Sequence, residues 1–188
     1  CNYDIKSIIN AMKGRDSFGF EEVTYLLLTG QLPARKDLEA FSSALAQRRN
    51  LSRQERSVIM EEAQNENQMY ALHSVISHLA RCDSNPDSTD LKDVSRQCIE
   101  LIAKFPTIVA YNYNVSRFHS GEDLKILRPR DDLSAAGNFL YMLKGHEPDR
   151  EEAHLFDMAL ILHAEHGGGN NSTFTVRTVS SSGANTYM

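Results

Sequence analysis

A chain of 188 residues, 41% hydrophobic and 24% charged, is long enough to bury a substantial core and has the composition of a soluble globular protein, not a disordered one. Its net charge of −5, from 25 acids against 20 bases with no long basic block, argues against a nucleic-acid partner, and no apolar run suits a membrane span or a signal peptide. Cys1, Cys82 and Cys98 are odd in number and lack CxxC spacing, which points to free thiols in a reducing, cytoplasmic setting.

In chain order, Ile5, Ile8, Ile9 and Met12 recur at steps of three and four and predict a helix from Asp4 to Met12, ended by Gly14. Ser17 to Gly19 reads as a turn. From Phe20, the residues Val23, Tyr25, Leu26, Leu27 and Leu28 make a helix apolar nearly all round, expected to be buried on most sides. Glu21 and Glu22 suit its positive end, and Gly30 with Pro33 stops it. Leu38, Phe41 and Leu45 form the stripe of a third helix, with Arg48 and Arg49 at its negative end. Ser52 and Glu55 have capping-box spacing and open a fourth, carrying Val58, Ile59 and Ala63. Met69, Leu72, Val75, Ile76 and Leu79 make a fifth stripe, and Asn85-Pro86-Asp87 is a turn.

Leu91, Val94, Cys98, Leu101, Ile102 and Phe105 keep helical spacing; Pro106 is expected to kink or end that run, with Ile108 to Tyr113 continuing beyond it. Between Asn114 and Leu133 the pattern breaks into a loop holding Lys125, Arg128, Pro129 and Arg130. Ser134 caps a helix with Phe139, Leu140 and Leu143, closed by Gly145 and Pro148. Asp149 and Glu152 repeat the capping-box spacing before a helix with Phe156, Ala159, Leu160 and His163 on one stripe. Strand-type alternation, internal repeats and low-complexity segments are all missing. The fold class is all-α, about nine helices packed in layers.

Chemistry concentrates in Leu162-His163-Ala164-Glu165-His166-Gly167-Gly168-Gly169-Asn170-Asn171-Ser172-Thr173-Phe174. Three glycines break the helix and let a ligand approach the main chain. Asn171 or Ser172 can cap the next helix, which runs from about Thr173 into Ser182. Free N–H groups at that helix start favour an anion, and His166 beside them is a proton donor, so the corner suits a carboxylate-rich small molecule. The plainer alternatives are a packing histidine, ordinary caps at Asn170 and Ser172, and a bare glycine turn. His163, Glu165 and His166 do not complete a metal site, because no HExxH and no third spaced ligand follow. The string His166-Gly167-Gly168-Gly169 also matches an esterase oxyanion loop, but the G-x-S-x-G elbow which that chemistry needs is lacking.

The same run resembles the oxaloacetate-binding segment of citrate synthases, in the form seen in bacterial enzymes, together with Val179-Ser180-Ser181-Ser182-Gly183 and Tyr187. Further matches follow in the expected order: Gly19-Phe20-Glu21-Glu22-Val23 through Leu26-Leu27-Leu28-Thr29-Gly30-Gln31-Leu32-Pro33, then Met69-Tyr70-Ala71-Leu72, then Asn138-Phe139-Leu140-Tyr141-Met142-Leu143. The resemblance implies an enzyme that condenses acetyl-coenzyme A, as co-substrate, with oxaloacetate, using neither a metal nor a tightly bound cofactor. It implies that His166 binds the oxaloacetate carbonyl and that Ser172 supports a catalytic histidine from a later segment. Asn170, Gly168 and Gly169 would shape the pocket. Gly167 stands where other members carry an acidic residue, a variant the bacterial form allows. A homodimer is implied too, for which an exposed Leu26–Leu28 helix would be the sign. Lys125, Arg128 and Arg130 could meet coenzyme A phosphates, although a solvated loop is the plainer reading.

The chain opens at Cys1 without a methionine and stops at Met188 directly after a patterned segment. Residues 1–188 are therefore expected to be part of the family's helical large domain, with the small domain and the rest of the large domain absent. The later histidine, the aspartate and the carboxylate-binding arginines would fall beyond Met188, and Arg177 does not match them. The expectation is part of a substrate pocket, inactive alone. The alternatives are a 2-methylcitrate synthase, a non-catalytic helical interaction module of the same descent, and a metal-dependent hydrolase using His163 and His166.

Overall fold

The computed structural model describes residues 3–15, 17–64, 67–165 and 170–188. Among the described residues there are nine helices and no strand: α1 (Ile5–Arg15), α2 (Phe20–Thr29), α3 (Arg35–Ala46), α4 (Arg53–Glu62), α5 (Gln68–Cys82), α6 (Leu91–His119), α7 (Ala135–Lys144), α8 (Arg150–His163) and α9 (Asn171–Ser181). The all-α reading holds.

The 29 residues of α6 form the longest element, about 43 Å at 1.5 Å per residue, and α3, α4, α5 and α7 all pack on it. The main core lies along this helix and joins Leu51, Ile59, Val75, Leu79, Ile108, Tyr111, Val115 and Met142. Each fully buried aliphatic side chain there contributes roughly 1.5–3 kcal/mol. Asn114 Nδ2 donates to the Met142 carbonyl at 3.0 Å, which ties α6 to α7 inside this core. A second, smaller core of Met12, Val23 and Ile161 joins α1, α2 and α8.

Local signals did much of the placing. Ser52 and Glu55 form both halves of the capping box. Ser134 accepts the Gly137 N–H, and Gly145 ends α7 in the left-handed region at φ 85°, where a side chain would be strained.

Other expectations need correction. Pro106 neither ends nor divides α6, because Ala103, Thr107 and Ile108 on either side of it are buried against neighbouring helices, and that packing outweighs one missing N–H. The loop predicted from Asn114 therefore begins only after His119, and α1 runs past Gly14 to Arg15. On α2 the first turn is covered on all sides, with Glu21, Glu22, Val23 and Thr24 buried in succession, whereas Leu27 and Leu28 in the last turn are 40% and 42% exposed. On α5, Ala71, Val75 and Leu79 face inward while Met69 points to solvent. Asp149 accepts the Glu152 N–H, but the Glu152 carboxylate pairs with Lys144, so only half of the second box forms. Arg48 does donate to the Ala44 carbonyl at the end of α3, whereas Arg49 turns into the interior. Cys82 and Cys98 are free thiols, and Cys1 lies outside the described residues. No helix among the described residues is long and apolar enough to cross a membrane.

Candidate functional site

The helix that leads into the predicted site is held at two levels. Its buried row is Ala153, Asp157 and Ile161, displaced by one position from the predicted Phe156–Leu160 stripe. Ile161 and the partly buried Ala164 pack with Met12 and Val23, which fixes the last turn of α8 against α1 and α2. One turn earlier, the fully buried Asp157 accepts the backbone N–H of Gly19 at 2.8 Å and of Phe20 at 3.2 Å. Gly19 caps α2 and has no side chain to do so, so Asp157 supplies the acceptor from 138 residues away. Burial pushes the Asp157 carboxyl up to about 6, against the pull of the Gly19 N–H.

Beyond α8, His163 is exposed, with Nδ1 2.7 Å from the Ala159 carbonyl. Among the described residues no three His, Cys, Asp or Glu side chains converge as metal ligands. His166, Gly167, Gly168 and Gly169 lie outside the described residues.

Asn170 is described, and it is the cap of α9. Its backbone is extended, and Oδ1 accepts the N–H groups of Ser172 at 2.8 Å and Thr173 at 3.3 Å. The cap thus sits one residue before the predicted Asn171 or Ser172, at the position from which a short amide reaches the second and third helical N–H groups. Ser172 lies exposed in the first turn. Two predicted site residues, Asn170 and Ser172, are therefore brought together at one helix start. No residue of α9 is buried. The positive end of this helix favours a negatively charged ligand.

Sequence reasoning missed a buried ionic knot beside α2. Arg49 is 5% exposed; Nη1 donates to the Arg130 carbonyl at 2.9 Å and the Leu133 carbonyl at 2.8 Å, and Nη2 lies 3.8 Å from Glu21. Glu21 accepts the Ala135 N–H at 2.7 Å. The pair clamps the 130–135 loop to α2 and α3. Arg130 is held by Asp132 and Glu147 and lies over the Tyr141 ring, while Lys125 and Arg128 remain exposed. The sequence signal for Asp157 was available: a carboxylate midway along an apolar row, four residues from Ala153 and four from Ile161. Nothing near Arg49 in the sequence distinguishes it from Arg48.

An apolar groove of about 460 Å³ runs beside these elements, lined by Phe20, Phe105, Pro106, Phe139, Phe156 and Leu160 among others.

Comparison with known proteins adds to this geometry. The family model described as citrate synthase, C-terminal domain, matches residues 1–188. A citrate synthase of Haloferax volcanii is 39% identical over 191 residues, covering 100% of this chain and 47% of that protein. A 2-methylcitrate synthase of Mycobacterium tuberculosis is 33% identical over 168 residues, covering 89% of this chain and 41% of that protein. The crystal structure of citrate synthase from Pyrobaculum aerophilum superposes with a TM-score of 0.83 at 35% identity, covering 98% of this chain and 45% of that one. The chain spans somewhat under half the length of the curated relatives it matches.

Proposed function

Because the chain belongs to the citrate synthase family, we propose that its 188 residues are part of the helical large domain of a citrate synthase and carry one wall of the oxaloacetate site. The enzyme would condense acetyl-coenzyme A with oxaloacetate and water to give citrate and coenzyme A, in the cytoplasm, with no metal and no tightly bound cofactor.

The observation that carries this reading is the start of α9, where Asn170 and Ser172 flank backbone N–H groups at the positive end of a solvent-exposed helix. Oxaloacetate brings two carboxylates and a keto oxygen. The Ser172 and Thr173 N–H groups are taken by Asn170 Oδ1, so it is the positive helix end as a dipole that suits a carboxylate, and in this reading His166 hydrogen-bonds the keto oxygen and polarises it for attack. The Oδ1 of Asn170 is occupied by the cap, which leaves its Nδ2 to donate to the ligand. Gly168 and Gly169 keep the adjoining main chain free of side chains. Ser172 supports a histidine from a later segment, and the base that removes the acetyl proton also comes from there. Leu27 and Leu28 on α2, with Phe174 and Val176 on α9, are exposed apolar side chains that suit the second subunit of a homodimer.

The test is His166→Ala in the complete enzyme carrying these residues. Calorimetry should show oxaloacetate binding abolished; unchanged affinity overturns the assignment. The match to a 2-methylcitrate synthase favours a second reading, with propionyl-coenzyme A as acyl donor. Steady-state rates with acetyl- and propionyl-coenzyme A separate the two.

A further inference from the structure

The first turn of α2 is a fixed point in the molecule. Glu21 accepts the Ala135 N–H at 2.7 Å and lies 3.8 Å from Arg49 Nη2, while Arg49 Nη1 holds the Arg130 and Leu133 carbonyls. Glu21, Glu22, Val23 and Thr24 are all buried, and any further chain packed here would only deepen that burial. Asp157 hangs α8 on this point through the Gly19 N–H at 2.8 Å and the Phe20 N–H at 3.2 Å, and it is itself 1% exposed.

The apolar contacts of α8 are softer along its axis. Ala153 and Ile161 offer aliphatic surface, and Phe156 stacks nearly flat on Phe139, with ring centroids 5.2 Å apart and planes at 12°. His154 lies on Phe18 in the same way, at 4.3 Å and 6°. Burial of such surfaces is non-directional, so it resists separation more than sliding. The Lys144–Glu152 ion pair joins two long side chains that are each 35% exposed, which is a weak restraint. Hydrogen bonds are directional and weaken steeply when misaligned. The two accepted by Asp157 therefore define a height that the stacked faces do not.

We infer that Asp157 is a positioning residue of the proposed site: its two bonds to the start of α2 set the height of α8 along its axis, and with it the point from which the chain leaves toward His166. From Asp157 to His163 the helix rises about 9 Å, and its hydrogen-bonded ladder passes an axial shift along undiminished. Ala164, packed in the same small core as Ile161, carries the placement one residue further. An axial error approaching 1 Å at a reacting centre costs up to ~10²-fold. The inference rests on the oxaloacetate role proposed for His166.

The experiment compares Asp157→Asn, Ala153→Gly and His166→Ala in the complete enzyme carrying these residues. It is run at about pH 8, where the Asp157 carboxyl, pushed up to about 6, is ionised. In Asp157→Asn the amide oxygen can take the Gly19 N–H, but the NH2 group then meets the Phe20 N–H donor against donor. Expected is a rise of about tenfold in the oxaloacetate Kd by calorimetry and in its KM, with the acetyl-coenzyme A KM held within about twofold. Ala153→Gly weakens the same helix through its backbone and keeps both bonds, so it should lower the urea midpoint and leave the oxaloacetate KM within about twofold. Partial unfolding reduces the number of working sites, and so the apparent kcat, without moving either KM; the oxaloacetate KM thus separates placement from stability. An unchanged oxaloacetate KM in Asp157→Asn, when His166→Ala has abolished binding, overturns the inference and spares the site. An equal rise in Ala153→Gly overturns it as well, since that marks a merely structural helix. Should His166→Ala change nothing, the parent reading fails, and a crystal structure of Asp157→Asn decides the register alone: α8 displaced along its axis against α2 by about 0.5 Å or more supports it, and α8 unmoved overturns it.

Discussion

The carboxylate of Asp157 accepts the Gly19 N–H at 2.8 Å, so the beginning of α2 is finished by a side chain on α8. Its carboxyl is raised to about 6, whereas an aspartate in the unfolded chain titrates near 3.9. Between roughly pH 4 and pH 6 the folded chain therefore holds a proton that the unfolded chain has released. The stabilisation is present in full below about pH 4 and is lost as pH rises through about 6. Urea midpoints taken from pH 4 to pH 7 should fall across that window, and Asp157→Asn should flatten the fall. Asp157→Ala, which leaves two buried N–H groups without an acceptor, should lower stability at pH 5 by roughly 1–3 kcal/mol.

Gly19 is small for a reason that lies on α1. A Cβ at that position would stand 2.0 Å from Met12 Cε and 2.2 Å from its Sδ. Met12 is 5% exposed, so its flexible tail can retreat only into the smaller core. Gly19→Ala should cost about 1–3 kcal/mol in a thermal or urea melt. Met12→Ala in the same chain should remove much of that increment, giving a non-additive pair.

Arg49 is the cation most enclosed by its surroundings among the described residues. Burial pulls its pKa down, and Glu21 and Asp131 oppose the shift. Arg49→Met should cost about 3–5 kcal/mol, because it leaves Glu21 buried without its ion pair and the Arg130 and Leu133 carbonyls without a donor. Hydrogen exchange should show the loss first at the Ala135 amide, which Glu21 receives.

The 188-residue chain, assayed alone with acetyl-coenzyme A and oxaloacetate, should release no coenzyme A, since the proposed base and second histidine belong to a later segment. A thiol-trapping absorbance assay reads this directly, and turnover above the uncatalysed rate would reassign the roles given to His166 and Ser172.

Local chemistry was legible wherever the deciding groups are close in sequence. The Ser52–Glu55 box, the Ser134 cap and the glycine at 145 each depend on atoms within four residues, and all three formed. Legibility ended where partners are far apart. Asp157 and Gly19 are 138 residues apart, and Arg49 and Leu133 are 84 apart, so neither alliance leaves a periodic trace. Pro106 does not end its run for the same reason, since its local penalty is outweighed by tertiary burial that the sequence does not display. At the site, the spacing of polar residues located the helix start to within one position. It could not say which amide would cap it, because Asn170 and Asn171 differ only in where the backbone bends.

The trench between Phe105, Phe139 and Phe156 also governs how this polypeptide behaves at the bench. Its aromatic lining offers a seat to environment-sensitive dyes and detergents, and salting-out agents will strengthen that binding. A bound dye or detergent will raise the melting temperature by mass action, so wild type and variant need to be compared at one matched probe concentration.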